Sequence, residues 1–249
     1  MMKKTSAAIF FIALILILVM ACNPSKQDHS AFQNPTIKEV RNENGILEAR
    51  LTVVDNKLNG KATRYYPSGK IKSVSEYVDN KLNGTEKKFY TDGNLYRTRN
   101  YKEGELEGFE YRYYRNGNIK TKLEYKEGNP ATGLEEYKSN GIKLIDYPSL
   151  KFKLIYERDY KEQILLLTSL NENYRNIRCY DGNLIEGKFF DSKAIPLSSS
   201  NGFAEKRIEP EFSGEIVISI KAITGFRCSY ITSGKVMIAK GKIIKTILL

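Results

Sequence analysis

The chain has 249 residues, with 40 Lys and Arg against 29 Asp and Glu, a formal charge of +11. The excess is spread thinly with no Lys/Arg-rich block, which argues against a nucleic-acid partner and for solubility plus weak attraction to anionic lipid or polysaccharide. A single histidine, His29, and three cysteines leave no basis for a Ser/His/Asp or Cys/His nucleophile or for a His/Cys metal site, and no cofactor is expected.

Residues 1–21 read as a leader. Lys3 and Lys4 make a basic start, and Ala7 to Ala21 is an unbroken apolar run, shorter than the roughly 20 residues of a membrane span. The run ends Val19-Met20-Ala21-Cys22, which resembles a bacterial lipoprotein lipobox. That resemblance implies that Cys22 is acylated and anchors the chain to a membrane of the cell envelope, the outer membrane by preference. More than one acyl chain would hold it stably there. An ordinary secretory signal, with Cys22 merely nearby, is the competing reading. Residues 22–35 follow as a polar tether.

From residue 36 to 147 a glycine ladder sets the pattern. Gly45, Gly69, Gly93, Gly117 and Gly141 are spaced 24 apart, and Gly60, Gly84, Gly108 and Gly133 run beside them. Five copies at that period mark a repeat architecture. Each unit carries two strands. Ser68-Gly69, Asp92-Gly93 and Asn116-Gly117 predict two-residue type I′ hairpin turns, which would set Tyr66 opposite Ile71, Tyr90 opposite Leu95 and Tyr114 opposite Ile119. The second turn, before Gly60 and Gly84, reads as longer and polar. Alternation puts Leu47, Ala49, Leu51, Val53, Ile119 and Leu123 on a more apolar face, together with Tyr66, Tyr90 and Tyr114. It also predicts a cross-strand ion pair between Glu86 and Arg99. Tyr65, Phe89, Phe109, Tyr111 and Tyr113 fall on the opposite face beside Lys72, Tyr96, Lys120 and Lys122.

The pattern G-x(4)-Y-Y-x-[ND]-G-x-[IL], closed by an aromatic and a charged turn ending in Gly, resembles the bacterial MORN variant repeat. The resemblance covers residues 36 to about 147 and implies an elongated antiparallel sheet used for binding, without catalytic residues. Beside it, the aromatic–lysine face (Tyr65, Phe89, Phe109, Tyr111, Tyr113, Lys120 and Lys122) is the candidate partner-binding surface. Rings that merely shield the sheet are the plainer alternative.

Residues 148–249 change pattern. Short apolar runs separated by turns such as Asn201-Gly202 and Ser233-Gly234 predict a small β-sandwich-like domain, with an immunoglobulin-like topology as a guess from length and spacing. Gln163 to Leu167 fits a strand or a short helix equally. Cys179 and Cys228 are expected to form a disulfide outside the cytoplasm, with two buried thiols as the alternative.

The chain is thus expected to be all-β: an antiparallel hairpin-repeat sheet followed by a sandwich. Its expected function is that of a non-catalytic envelope lipoprotein whose repeats bind a protein or glycan. An accessory subunit docking through its C-terminal domain is the alternative. A hydrolase of envelope polymers fits the scattered carboxylates poorly.

Overall fold

The computed structural model describes residues 34–144, 150–157, 163–170, 175–200, 203–209, 211–224, 227–239 and 242–248. The glycine-ladder segment forms β1 (Thr36–Arg41), β2 (Leu47–Val54), β3 (Lys57–Tyr65), β4 (Ile71–Val78), β5 (Lys81–Leu82), β6 (Gly84–Phe89), β7 (Leu95–Lys102), β8 (Glu105–Leu106), β9 (Gly108–Tyr113), β10 (Ile119–Lys126), β11 (Asn129–Pro130), β12 (Glu135–Tyr137) and β13 (Lys143–Leu144). They make one antiparallel sheet in the order β1-β2-β3-β4-β6-β7-β9-β10-β12-β13. The short β5, β8 and β11 pair back on β4, β7 and β10.

The two turn types are the reverse of the expectation. At the Ser68-Gly69, Asp92-Gly93 and Asn116-Gly117 turns only glycine takes positive φ (80° at Gly69, 100° at Gly93, 85° at Gly117). The Gly69 amide donates to the Tyr66 carbonyl at 2.8 Å, and the Tyr66 amide to the Lys70 carbonyl at 2.8 Å, a pattern repeated at Gly93 and Gly117. This is a type I turn closed by a glycine bulge. The ladder therefore slips at its end, so that Tyr65, Phe89 and Tyr113 pair with Ile71, Leu95 and Ile119. Asp92 and Asn116 precede glycine for a different reason from the one assumed. Their side chains accept from the amides of Asn94 and Asn118 at 3.0 and 3.1 Å.

The type I′ geometry belongs to the other turn. Asp55-Asn56, Asp79-Asn80, Glu103-Gly104 and Glu127-Gly128 all have positive φ at both central residues. Each later turn also bonds to the repeat before it: the amides of Asn80, Gly104 and Gly128 donate to the carbonyls of Leu58, Leu82 and Leu106.

The face read as more apolar is filled by small and charged side chains. Ala49, Ala62, Ser73, Ser75, Glu86, Glu110, Thr121, Leu123 and Glu136 are buried there. Glu86 does stand opposite Arg99, but it pairs diagonally with Arg97 at 3.2 Å, while Arg99 and Arg112 both grip Glu110. Sheet twist brings one diagonal neighbour closer than the residue directly across.

The C-terminal segment adds β14 (Leu150–Glu157), β15 (Gln163–Leu170), β16 (Arg175–Asp181), β17 (Ile195–Pro196), β18 (Ser198–Ser200), β19 (Phe203–Ile208), β20 (Gly214–Ile223), β21 (Ser229–Ala239) and β22 (Lys242–Leu248). Gln163 to Leu167 is therefore strand. One sheet runs β14-β15-β19-β18 and the other β17-β16-β20-β21-β22. Lettered along the chain, these are A-B-E-D and C′-C-F-G with one strand added outside G, the immunoglobulin-type order. Leu150, Phe152 and Leu154 of the first sheet pack with Ile216, Ile218, Ile220, Val236 and Ile238 of the second.

The repeat sheet and the sandwich share this core, since Leu123, Tyr125 and Leu134 belong to the same cluster. The 182–194 loop straps them together. Its Phe190 amide donates to the Pro130 carbonyl at 2.8 Å, and its Lys188 carbonyl accepts from the Thr132 amide at 2.8 Å. Ion pairs Lys126–Glu186 and Lys188–Glu124 flank these bonds. The β20–β21 hairpin adds a buried hydrogen bond from the Thr224 hydroxyl to Glu136 at 2.6 Å. Pro35–Leu249 accordingly form one compact unit.

The expected disulfide is absent: Cys179 and Cys228 are buried free thiols. Cys179 faces Ile220, whose partner on β21 is Thr232, four residues past Cys228. At about 3.3 Å per residue that offset is roughly 13 Å, well past the ~7 Å that a disulfide spans. In immunoglobulin domains the bridge joins strands B and F across the two sheets. Here both cysteines belong to the C-F-G sheet.

Candidate functional site

Strand alternation from the buried positions leaves the other side of the repeat sheet to the aromatic and lysine residues. Along β9, Phe109, Tyr111 and Tyr113 stand in line, with ring centroids 6.0 and 6.4 Å apart. From neighbouring β10 the Lys122 ammonium lies 4.8 Å from the Phe109 centroid. Phe109 is 38% exposed, and Tyr65, Phe89, Tyr111, Tyr113, Lys120 and Lys122 are half-buried. Six of the seven predicted residues thus share one face, although Tyr65 and Phe89 lie on β3 and β6, apart from the β9–β10 cluster. Lys120 does not join them, because Ile119 takes the place opposite Tyr113 and Lys120 turns to the Tyr114 ring near Glu136.

Tyr66, Tyr90 and Tyr114 lie on the opposite face, as expected, with Tyr114 close to the buried Glu136. The Tyr90 ring packs edge-on against Tyr96 at 5.1 Å. Lys72 and Lys120 lie 5.9 and 5.4 Å from the Tyr66 and Tyr114 centroids. The register slip gives β4, β7 and β10 one extra residue each, so Lys72, Tyr96 and Lys120, expected beside Tyr65, Phe89 and Tyr113, fall instead on the side of Tyr66, Tyr90 and Tyr114. Their hydroxyls have a separate task. Tyr66 donates to the Phe89 carbonyl at 2.6 Å, Tyr90 to that of Tyr113 at 2.8 Å, and Tyr114 to that of Tyr137 at 2.7 Å. Each hydroxyl therefore clasps the next repeat, and the 24-residue recurrence of the second aromatic was the available signal for it.

Tyr137 and Glu135 complete the face and were missed, because the last repeat is shortened. Glu135 accepts from the Tyr137 hydroxyl and bridges Lys143 at 3.1 Å and Lys122 at 3.3 Å. The Tyr137 hydroxyl, followed by the two ammonium groups, holds its carboxyl down to about 2. At the far end of the same face, Ile37, Glu39, Arg50, Thr52, Lys61 and Thr63 line a shallow depression of about 470 Å³.

The remaining candidates separate from this face. Burial pushes the Cys179 thiol up to about 12 and also raises Cys228, which bonds to the Thr121 hydroxyl. Both are in the form that does not act as a nucleophile. Cys22 lies outside the described residues. Among the described residues there is no group of three or more His, Cys, Asp and Glu side chains placed to hold a metal ion. A second cleft, about 530 Å³, opens on the sandwich beside Asp181, Lys206, Glu209, Phe212 and Glu215. Its lysine is spent on an ion pair with Asp181.

Compared with known families, residues 58–79, 82–103 and 106–127 each match the model described as MORN repeat variant. Together the matches cover about a quarter of the chain. No curated protein matches the chain. Each matched unit opens on the leucine whose carbonyl receives the next turn's amide and closes on the first residue of a type I′ turn. Residues 58–127 are three tandem MORN repeat variants, continued on both sides by strands of the same sheet.

Proposed function

We propose that this protein is a non-catalytic binding module of a bacterial cell envelope, anchored through acylated Cys22 and engaging an envelope protein or glycan with the aromatic–lysine face of its repeats. The observation that carries this reading is the contrast between the two faces. One is occupied by buried ion pairs and, near β10, by the sandwich core. The other leaves Phe109, Tyr111 and Tyr113 partly open beside Lys122. Aromatic rings flanked by cations are the usual anchors of recognition surfaces. The lipobox-like Ala21-Cys22 supports the anchored placement.

Crosslinking on intact cells tests the face. Tyr111→Ser with Tyr113→Ser should reduce partner capture on the order of tenfold, in line with loss of aromatic hot spots, while the unfolding midpoint stays near that of the parent. Undiminished capture would remove the face from consideration. The anchor is tested separately by Cys22→Ser, which should release the chain from the membrane fraction. Retention there, with unchanged mass, overturns the acylation.

A further inference from the structure

We infer that the ion-paired side of the repeat sheet, opposite the aromatic row, carries a docking site for an acidic loop of a partner protein, centred on Arg64, Ser73 and Lys88. The site is separate from the surface proposed above. Direct cross-strand pairing sets Arg64, Ser73, Lys88, Arg97 and Arg112 in one row, which ends on Thr121 and Glu136. Cations are in surplus there. With Arg99 from the adjoining row they face two carboxylates: Glu86 is shared by Lys88 and Arg97, and Glu110 by Arg99 and Arg112. Arg64 is exposed and has no ion pair or hydrogen bond among the described residues. Arg97 is not satisfied by Glu86 alone, since its Nε is buried without an acceptor.

The far end of the row shows what it accepts. There the connection between β20 and β21 is seated: Arg112 donates to the Arg227 carbonyl at 3.3 Å, the Thr224 hydroxyl donates to Glu136 at 2.6 Å, and Cys228 bonds to the Thr121 hydroxyl. A hairpin tip thus already fills one end through backbone and side-chain contacts. The row then continues past it, because among the described residues no side chain of β1–β7 enters the core shared with the sandwich. Continuity with that seat selects a second protein loop, and the surplus of cations selects an acidic one. Its carboxylate has a place. Ser73 is small and buried, and it parts Arg64 from Lys88 by two strand spacings, about 10 Å. An acidic side chain entering over Ser73 has one cation on each side, and Lys88, with 40% of its side chain exposed, is free to turn toward it.

The test titrates the full chain, in detergent, with a labelled cyclic hairpin peptide carrying Glu-Glu at its tip and with its Gln-Gln counterpart. The acidic peptide should bind about tenfold tighter, the lower end for a hydrogen bond to a charged group, and the gap should narrow as salt rises. Arg64→Gln with Lys88→Gln should erase the preference while the unfolding midpoint stays near that of the parent. The same loss of charge on the sandwich, Lys151→Gln with Lys193→Gln at exposed positions, should leave it intact, as should Tyr111→Ser with Tyr113→Ser. No binding of either peptide, equal binding of the two, or a preference that survives Arg64→Gln with Lys88→Gln would each overturn the inference. So would oligogalacturonate or phosphatidylglycerol vesicles, at matched charge, displacing the labelled peptide as well as unlabelled Glu-Glu peptide does, because the row would then read charge alone. Failure here does not touch the aromatic face, whose own test depends on Tyr111 and Tyr113.

Discussion

Tyr90 illustrates how one atom separates architecture from recognition in this sheet. Its hydroxyl serves the next repeat's backbone, whereas Phe89 beside it presents a ring with no polar atom and receives the preceding clasp on its carbonyl. Tyr90→Phe keeps the packing on Tyr96 and deletes one hydrogen bond, so it should cost about 1 kcal/mol of stability, read from urea midpoints. A loss indistinguishable from zero at all three clasp positions would mean that water replaces the bond freely. Glu135 offers a pH readout. Its folded value of about 2 lies below the ordinary 4.5, so its contribution is complete above pH 4.5 and drains away as pH falls toward 2. Carboxyl NMR titration should find that low value in the parent and a higher one in Tyr137→Phe. Titration near 4.5 in both would contradict the assigned contacts. The buried thiols Cys179 and Cys228 should resist a disulfide reagent in the native chain and react within minutes of unfolding.

At the scale of the element, the turns were the hardest feature to read. Asx-Gly satisfies a type I′ turn and a type I turn with a glycine bulge equally well, and the choice rests on one added loop residue that pattern alone does not count. The strands themselves were legible, because alternation and the 24-residue glycine spacing both fix them. The charged turn was misjudged as long because the Lys-Leu pair after Asp55-Asn56 and Asp79-Asn80 reads as loop, whereas it is already strand; Glu103 takes the same positive φ in the third of these turns. It follows that Glu103→Asn should stabilise the sheet by a few tenths of a kcal/mol, as asparagine enters that region more readily. Thermal unfolding is the measurement, and an unchanged or lower midpoint contradicts the turn assignment. The ion pairs escaped the sequence for a related reason: straight-across pairing was assumed where twist selects the diagonal. Glu110→Ala leaves Arg99 and Arg112 facing each other without their shared carboxylate, which should cost roughly 3–5 kcal/mol.

For the whole molecule, the strand order of the sandwich was foreseeable from the number and spacing of apolar runs, while its union with the repeats was not. Nothing in the 182–194 loop advertises that Phe190 and Lys188 bond to Pro130 and Thr132. Nor do Leu123 and Leu134 differ from other alternating apolar residues until the shared core is seen. Residues 34–144 produced alone would expose that patch to water, and should lose cooperative unfolding or self-associate. Hydrogen exchange on the full chain should show protection strongest at β10 and β20–β21 and declining toward β1, whose positions are mostly exposed.

The clasps all point the same way: each donor sits in the earlier repeat and each acceptor in the later one, ending at Tyr137 beside the strands held by the sandwich. A pull at the N-terminal end would therefore meet the fastenings singly, as a seam opens from its free end, and never all together. The extension trace of such a molecule would be a staircase of small, similar rips before one large one. Its low treads would be whole repeats, each able to close again when the load is removed.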